Sequence, residues 1–449
     1  MTFLTKVDRF FEISARNSNF AREIVGGVVT FMTMCYIVFV QPVILEKAGM
    51  DARAVFVATC VSSAFATLLM GLYAKYPIAL APAMGHNAFF TFVVCGTMRM
   101  SWQQALLANF IAGSIFVLLS FAGFRRAVME SVPESLKHAI AVGIGLFIAL
   151  IGFQFGGIVV PSPATGVSLG EVTKPAVLVT VFGLAVMIVL SVKRVPGALL
   201  VGIVAATVLA ALLDLIKYEG VVEMPPSIAP TFAKLFTVEK FDIFSWSVLS
   251  VVFIFLFLDL FDTVGTLIGV GEQGGFIKDG RMPRAERALF SDACGTVFGT
   301  IMGTSTITSY IESASGVMAG ARTGLASIVT AVLFIAALFF SPLVRLVGAD
   351  VGGLHPMVAG ALIMVGVMMC KSIGKINWEE FAEAIPAFLT MVVIPFTYSI
   401  TDGIAAGFIS YTAIRFVTRR LNRKDAVVAV LAVLFVLYYM KVRYVGAGA

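Results

Sequence analysis

The sequence predicts an all-α polytopic membrane protein of about fourteen spans, arranged as two inverted halves of seven. Three observations predict it. The 449 residues are 59% hydrophobic and 13% charged, with a mean hydropathy of +0.98, against roughly 25% charged residues in a soluble domain. Apolar runs of about 20 residues, enough to cross a bilayer, recur along nearly the whole chain. Two of these runs are broken by small and polar residues at corresponding places in the two halves, and only backbone lining a cavity can be non-helical at that depth.

The chain opens on a charged segment, residues 1–19, in which Leu4, Val7 and Phe11 share one helical face. That pattern predicts an interfacial helix on the cytoplasmic side. It is not read as a cleavable signal, because the apolar run from Ile24 is too long for an h-region. The first half, 20–215, holds spans near 23–46, 54–74, 77–95, 103–123, 136–157, 174–192 and 196–214. A polar connection, 216–245, carries Pro225, Pro226 and Pro230. The second half, 246–418, holds spans near 246–270, 287–302, 303–320, 323–347, 354–371, 380–400 and 402–418. Basic residues then test the count: Arg16, Arg22, Lys75, Arg125, Arg126, Lys193, Arg194, Lys278 to Arg287, Arg322, Lys371, Lys375 and Arg419 to Lys424 all fall on one side, which is the cytoplasm. An odd number of spans per half makes the second enter from the opposite face, the geometry of inverted repeats. In the remaining piece, 419–449, the apolar stretch 426–442 ends on Lys441 and Arg443 and reads as a re-entrant or interfacial helix, with a fifteenth span as the alternative.

The formal net charge of +6 sits in short loops, where it orients the protein; no nucleic-acid partner is implied. Cys35, Cys60, Cys95, Cys294 and Cys370 occur singly in or beside apolar runs and read as packing residues. His86, His138 and His355 form no H-E-x-x-H, so neither a metal site nor a cofactor is expected. Gly269 to Gly274 matches G-x-G-x-x-G, but it follows an apolar helix with no strand before it, and the dinucleotide reading fails. Gly295, Gly299 and Gly303 are spaced to let a neighbouring backbone approach closely.

The chemistry gathers at the two broken runs, Ile78-Ala-Leu-Ala-Pro-Ala-Met-Gly-His-Asn-Ala-Phe-Phe-Thr-Phe92 and Gly303-Thr-Ser-Thr-Ile-Thr-Ser-Tyr-Ile-Glu-Ser-Ala-Ser-Gly-Val317. Asp259, Asp262 and Glu312 lie in segments where a charge costs roughly 2.5 to 3.5 kcal/mol on insertion scales. Such acids either face a polar cavity, bind substrate and carry a proton, or serve as interhelical glue. Function is favoured for Glu312, in a broken span, and for Asp262; Asp259 reads as structural, and Asp292 as pairing inside the bundle. Asn87, beside the break made by Pro82 and Gly85, reads as satisfying freed backbone groups. An aromatic such as Phe89 can stack on a flat ligand, though with 39 phenylalanines in the chain most are packing.

Thr30-Phe-Met-Thr-Met-Cys-Tyr-Ile37, Ala81-Pro-Ala-Met-Gly-His-Asn-Ala-Phe-Phe90, Leu260-Phe-Asp-Thr-Val-Gly-Thr-Leu267, Gly303-Thr-Ser-Thr-Ile-Thr-Ser-Tyr-Ile-Glu-Ser313 and Ile394-Pro-Phe-Thr-Tyr-Ser-Ile400 together resemble the azaguanine-type purine permeases, a branch of the nucleobase/cation symporters. The resemblance runs from about Phe20 to Arg420. It implies short strands and half-helices in spans three and ten, a core domain (spans one to four and eight to eleven) and a gate domain. It implies a substrate site of Asp262, Glu312, Ala88, Phe89, Phe261, Thr266 and Ile311, shaped by Pro82, Gly85, His86, Asn87, Ser309 and Ser313. Glu312 and Asp262 would carry the coupling proton, in a homodimer embedded in membrane lipid. His86 is the departure, standing where relatives carry an uncharged residue. The expected activity is proton-coupled import of purine nucleobases (hypoxanthine, guanine or adenine) across the cytoplasmic membrane, with no enzyme chemistry. Purines suit such a site, since their N–H edges donate to carboxylates and their faces stack. Carriage of another nucleobase or a small anion is the alternative, and a non-transporting scaffold or channel is the reading from a different class. Two intramembrane acids without a nearby intramembrane cation speak against the anion.

Overall fold

Among the described residues, eight helices are long and apolar enough to cross a bilayer. The computed structural model describes residues 3–121, 132–239, 241–243, 245–277, 282–420, 422 and 425–446, with backbone alone at Phe3, Leu4, Phe121, Tyr438 and 441–446. Arg125, Arg126, Lys278, Arg281, Arg423 and Lys424, counted above among the loop cations, lie outside the described residues, and the side chains of Leu4, Lys441 and Arg443 are likewise not described.

The helices follow in chain order as α1 (Phe3–Phe11), α2 (Phe20–Met34), α3 (Tyr36–Glu46), α4 (Ala52–Leu69), α5 (Met84–Ala88), α6 (Trp102–Phe121), α7 (Glu134–Phe155), α8 (Pro175–Val192) and α9 (Ala198–Leu212). They continue as α10 (Trp246–Gly274), α11 (Ala285–Met302), α12 (Ser313–Met318), α13 (Gly324–Ala337), α14 (Ser341–Val347), α15 (Pro356–Cys370), α16 (Phe381–Thr397), α17 (Ile400–Val417) and α18 (Ala426–Gly446). The strands are β1 (Leu80–Pro82), β2 (Val159–Ser162), β3 (Gly166–Leu169) and β4 (Ile307–Ser309).

Local chemistry explains the breaks. Proline pushes the residue before it out of the helical region, so Ala81 before Pro82 is extended and β1 forms where a span would otherwise run. Gly303, at φ +98°, ends α11 by turning its N–H onto the Gly299 carbonyl. The Thr and Ser residues that follow offer the backbone side-chain partners in place of helical ones, and β4 results. β1 and β4 pair antiparallel, with Leu80 opposite Ser309, Ala81 opposite Thr308 and Pro82 opposite Ile307.

Two strands leave two outer edges, which hydrocarbon cannot satisfy. Threonines of the flanking helices close both. Thr67 of α4 donates to the Leu80 carbonyl and accepts the Leu80 N–H, at 3.1 and 2.9 Å. Thr296 of α11 does the same for Ile307, at 2.9 and 3.2 Å. The glycine stripe permits this fit: a Cβ at Gly295 would lie 2.7 Å from Ala66 Cβ, and one at Gly299 would lie 2.8 Å from Ile307 Cγ1.

The chain divides into two compact units. One comprises Met1–Phe121, Gly152–Phe241 and Val251–Met364. It holds both broken segments, the β1–β4 pair and the β2–β3 hairpin. At one end of it Glu23, fully buried, accepts the N–H groups of Arg322 and Thr323, a carboxylate at the start of α13 where the helix leaves donors unpaired. The polar connection is tied down by Arg345, which pairs with Glu219 at 3.0 Å and Glu223 at 2.8 Å; the guanidinium holds Glu223 below the usual carboxylate range.

The other unit comprises Ala122–Ile151, Asp242–Ser250 and Val365–Ala449, with Ala139, Val142, Ile376, Ala387 and Met391 as a packed cluster. Here α18, with no re-entrant turn among its described residues, is one unbroken helix, the form common to the interfacial and the membrane-crossing readings of this stretch. Its Phe435 packs edge-on against Phe408 of α17, and Tyr439 donates to Asp402.

Candidate functional site

Glu312 stands in the turn between β4 and α12, half-buried, and its Oε1 accepts the Tyr36 hydroxyl at 3.0 Å. Its carbonyl faces Thr33 Oγ1 at 3.4 Å. The end of α2 and the start of α3 are therefore what positions this acid, and close contact makes that possible: a Cβ at Gly316 would fall 2.4 Å from the Gly26 carbonyl oxygen. Asp262 accepts from Thr308 Oγ1 at 3.3 Å, which brings α10 and β4 together. Asp262 is exposed although it lies within a 29-residue apolar helix. A carboxylate so placed needs a water-accessible recess beside it, since facing lipid would be costly. Along α10 a Cβ at Gly265 would meet nothing within 4 Å, one at Gly269 would lie 3.0 Å from Ile311 Cδ1, and Ile311 is 42% exposed.

Phe261 borders this region half-buried, its ring 4.4 Å from that of Phe257. Thr266 is buried. Ala88 and Phe89 are fully enclosed, Phe89 packing edge-on against Phe255 at 5.0 Å, so neither presents surface to a ligand in this conformation. His86 is buried too, its ring parallel to Phe255 at 6.4 Å, with no hydrogen-bond partner for Nε2 among the described residues.

The shaping residues divide by role. Ser313 Oγ accepts the Ala79 N–H at 3.0 Å, and the Pro82 carbonyl accepts the Tyr310 hydroxyl at 2.5 Å, so each broken segment holds the other. Gly85 lies in the first turn of α5. Asn87 differs from the expectation that it would serve backbone groups: it exchanges hydrogen bonds with Gln41 and accepts from Ser305, forming a side-chain junction between α3, α5 and the run before β4. Asp292, fully buried, accepts the Ser309 N–H at 2.8 Å, the Ser309 hydroxyl at 3.0 Å and the Thr263 hydroxyl at 2.8 Å. Asp259, also buried, has its Oδ2 3.4 Å from the Thr296 hydroxyl. Sequence reasoning did not pick out Tyr36, Gln41, Thr308 or Tyr310. Tyr36 and Gln41 lie in the first span, far in sequence from either break, and nothing in their residue type sets them apart from packing side chains. Among the described residues no cluster of His, Cys, Asp and Glu suits a metal ion. A cavity of about 590 Å³, bordered by Glu46, Lys47, Asp51, Arg53, Arg345 and His355, contains none of these site residues.

The transmembrane domain of a cyanobacterial bicarbonate transporter, BicA, superposes with a TM-score of 0.62 at 14% identity, over 86% of this chain and 97% of that one, a likeness of fold. The guanine/hypoxanthine permease PbuG of Bacillus subtilis is 44% identical over 96% of this chain and 99% of its own length. The adenine permease AdeP of Escherichia coli is 41% identical over 96% and 95%. The profile of the Permease family Xan_ur_permease matches residues 21–406, a stretch that contains both broken segments and both acids, and the chain belongs to that family.

Proposed function

We propose that this permease imports purine nucleobases across the cytoplasmic membrane by proton-coupled alternating access. One observation carries the reading: Glu312, half-buried on a broken segment, and Asp262, exposed on the apolar helix beside it, each accept a hydrogen bond from a hydroxyl, at 3.0 and 3.3 Å. Carboxylates held in this way accept from the N–H edge of a purine, and one of them can take up a proton as the base is bound. The family relatives named as guanine/hypoxanthine and adenine permeases support the substrate class. Backbone and ring from Ala88 and Phe89, with Phe261, Thr266 and Ile311, complete the proposed site once the chain moves.

The proposed topology is fourteen crossings in two inverted repeats with a cytoplasmic N-terminus, core and gate domains, and a homodimeric assembly in lipid. The matching roles of Thr67 and Thr296, each one helix before a broken segment, support the repeat. The test is uptake of radiolabelled hypoxanthine, guanine and adenine into cells lacking their own permeases. Glu312→Gln is expected to abolish accumulation against a gradient, because glutamine keeps the size but replaces an acceptor by a donor and cannot titrate. Full accumulation by this variant would overturn the proton role; uptake of uracil or bicarbonate in place of purines would overturn the substrate class.

A further inference from the structure

The cavity of about 590 Å³ beside the turn from α3 to α4 lies within one compact unit and takes no part in the site described above. Its size falls within the roughly 300 to 1,000 Å³ of small-molecule pockets. Pro42, Val43, Phe56, Val344 and Pro226 give it an apolar wall. That wall is held from behind. Arg345 pairs with Glu219 and Glu223, the Ser341 hydroxyl donates to Glu223 at 3.3 Å, and the Glu223 N–H donates to the Phe339 carbonyl at 2.9 Å, which together fix the connection that carries Pro226. His355, also on the border, is fixed as well: its backbone N–H donates to the Phe155 carbonyl at 2.9 Å, its ring lies 5.3 Å from the Phe155 ring, and Nδ1 is 3.2 Å from the Gly348 carbonyl oxygen. A carbonyl only accepts, so in the neutral ring Nδ1 carries the proton and Nε2 is an acceptor, without a hydrogen-bond partner among the described residues.

Charge decides the ligand class. Lys47, Arg53 and Arg345 border the cavity together with Glu46, Asp51 and Asp350, three cations against three carboxylates, so no net field selects an ion. Three of the six are already engaged: Arg345 as above, Asp51 in accepting the Ala54 N–H at 2.8 Å, and Asp350 in accepting the Gly353 N–H at 2.7 Å. Glu46, Lys47 and Arg53 are exposed, and their charged ends make no hydrogen bond or ion pair among the described residues, the Lys47 ammonium resting over the Phe155 ring at 5.7 Å. Two donors, a carboxylate acceptor and an apolar wall complement a neutral flat ring edged with both acceptors and N–H groups. We propose that this cavity is a waiting site for a purine nucleobase, with the ring against the apolar wall, its acceptor atoms toward Lys47 and Arg53, and an N–H on Glu46. One helix links it to the substrate site: Tyr36 at the start of α3 holds Glu312, and Glu46 at its end borders the cavity, about 15 Å further along the axis. With the N-terminus cytoplasmic, as proposed above, that is the outer end of α3, and an arriving base meets the cavity first.

This inference rests on the proposal that the protein carries purines, and the experiment separates the two. With the native cysteines replaced, Ala52→Cys places a thiol on the cavity border and Ala164→Cys, in the exposed turn of the β2–β3 hairpin, serves as control. The full-length protein is labelled with a polar thiol reagent, with and without hypoxanthine, in the otherwise intact chain and in one that also carries Glu312→Gln and Asp262→Asn. Hypoxanthine at several times the site's Kd is expected to slow labelling at position 52 about fivefold in both backgrounds, since occupancy protects by mass action, and to leave position 164 unchanged. Ala52→Trp, which fills the cavity, is expected to raise the KM for uptake about threefold with the maximal rate within about twofold, the signature of lost binding ahead of the transport step. Normal purine uptake without protection at position 52 overturns the waiting site and leaves the transport reading standing. Protection only where Glu312 and Asp262 are intact means that the cavity follows the state of the substrate site, and also overturns it. Protection by inorganic phosphate and not by hypoxanthine overturns the assignment to a base. A fall in maximal rate with KM unchanged in Ala52→Trp overturns the waiting role. No purine uptake by the parent protein overturns that role together with the transport reading. If a variant at Ala52 does not reach the membrane, the same substitution at Ala349, which also borders the cavity, decides by the same criteria.

Discussion

Asp262 and Asp292 are chemically identical and do opposite work. Asp262 is exposed and holds one hydroxyl at the long end of hydrogen-bond range, 3.3 Å from Thr308. Asp292 is enclosed and anchors the end of β4 through Ser309 while holding Thr263. Asp262→Asn is therefore expected to leave the amount of protein in the membrane and its melting temperature unchanged, while raising the KM for purine about tenfold, as loss of a charged hydrogen-bond acceptor should. Asp292→Leu is expected to destabilise by about 3 kcal/mol, since it strands the Ser309 N–H and two hydroxyls in a buried place. Asp292→Asn is expected to melt close to the parent, because its carbonyl still accepts from Ser309 and its amide can donate to Thr263. Thermal unfolding in detergent alongside uptake kinetics checks both; a drop in melting temperature for Asp262→Asn as large as that for Asp292→Leu would show that Asp262 is structural.

At the level of elements, the broken segments were legible because proline, glycine and a carboxylate inside apolar runs are anomalies of composition. Their partners were not. Thr67 and Thr296 look like ordinary small residues of ordinary spans, and nothing in a linear sequence says that their hydroxyls close the edges of a sheet formed elsewhere. Tyr36 escaped for the same reason, being one aromatic in an aromatic-rich chain whose role appears only when Glu312 is folded against it. Thr67→Val and Thr296→Val are each expected to cost about 1 to 3 kcal/mol, the penalty of leaving strand N–H and C=O groups unpaired. Serine at either position is expected to recover most of that loss, since it keeps the hydroxyl and gives up a methyl. Melting curves of the four variants decide this, and valine variants as stable as the parent would mean that the edges are satisfied in some other way.

For the molecule as a whole, the β1–β4 ladder makes a statement about movement. Leu80 and Ser309 face each other with their own N–H groups turned outward to Thr67 and Asp292, the closely spaced type of antiparallel pair. With the native cysteines replaced, Leu80→Cys and Ser309→Cys should form a disulfide on mild oxidation. If both broken segments travel as one body during alternating access, the oxidised protein is expected to transport within about twofold of the reduced one. Loss of transport restored by reductant would show that the strands part in each cycle. The closing threonines have a consequence for how such a protein can diversify. The backbone frame is secured by Thr67, Thr296, Asp292 and Ser313, whereas the proposed substrate site draws on other side chains, among them Asp262, Phe261 and Ile311. Cargo preference can therefore drift through substitutions at the second group while the first holds the geometry still, so that one scaffold can change what it carries without relearning how to fold.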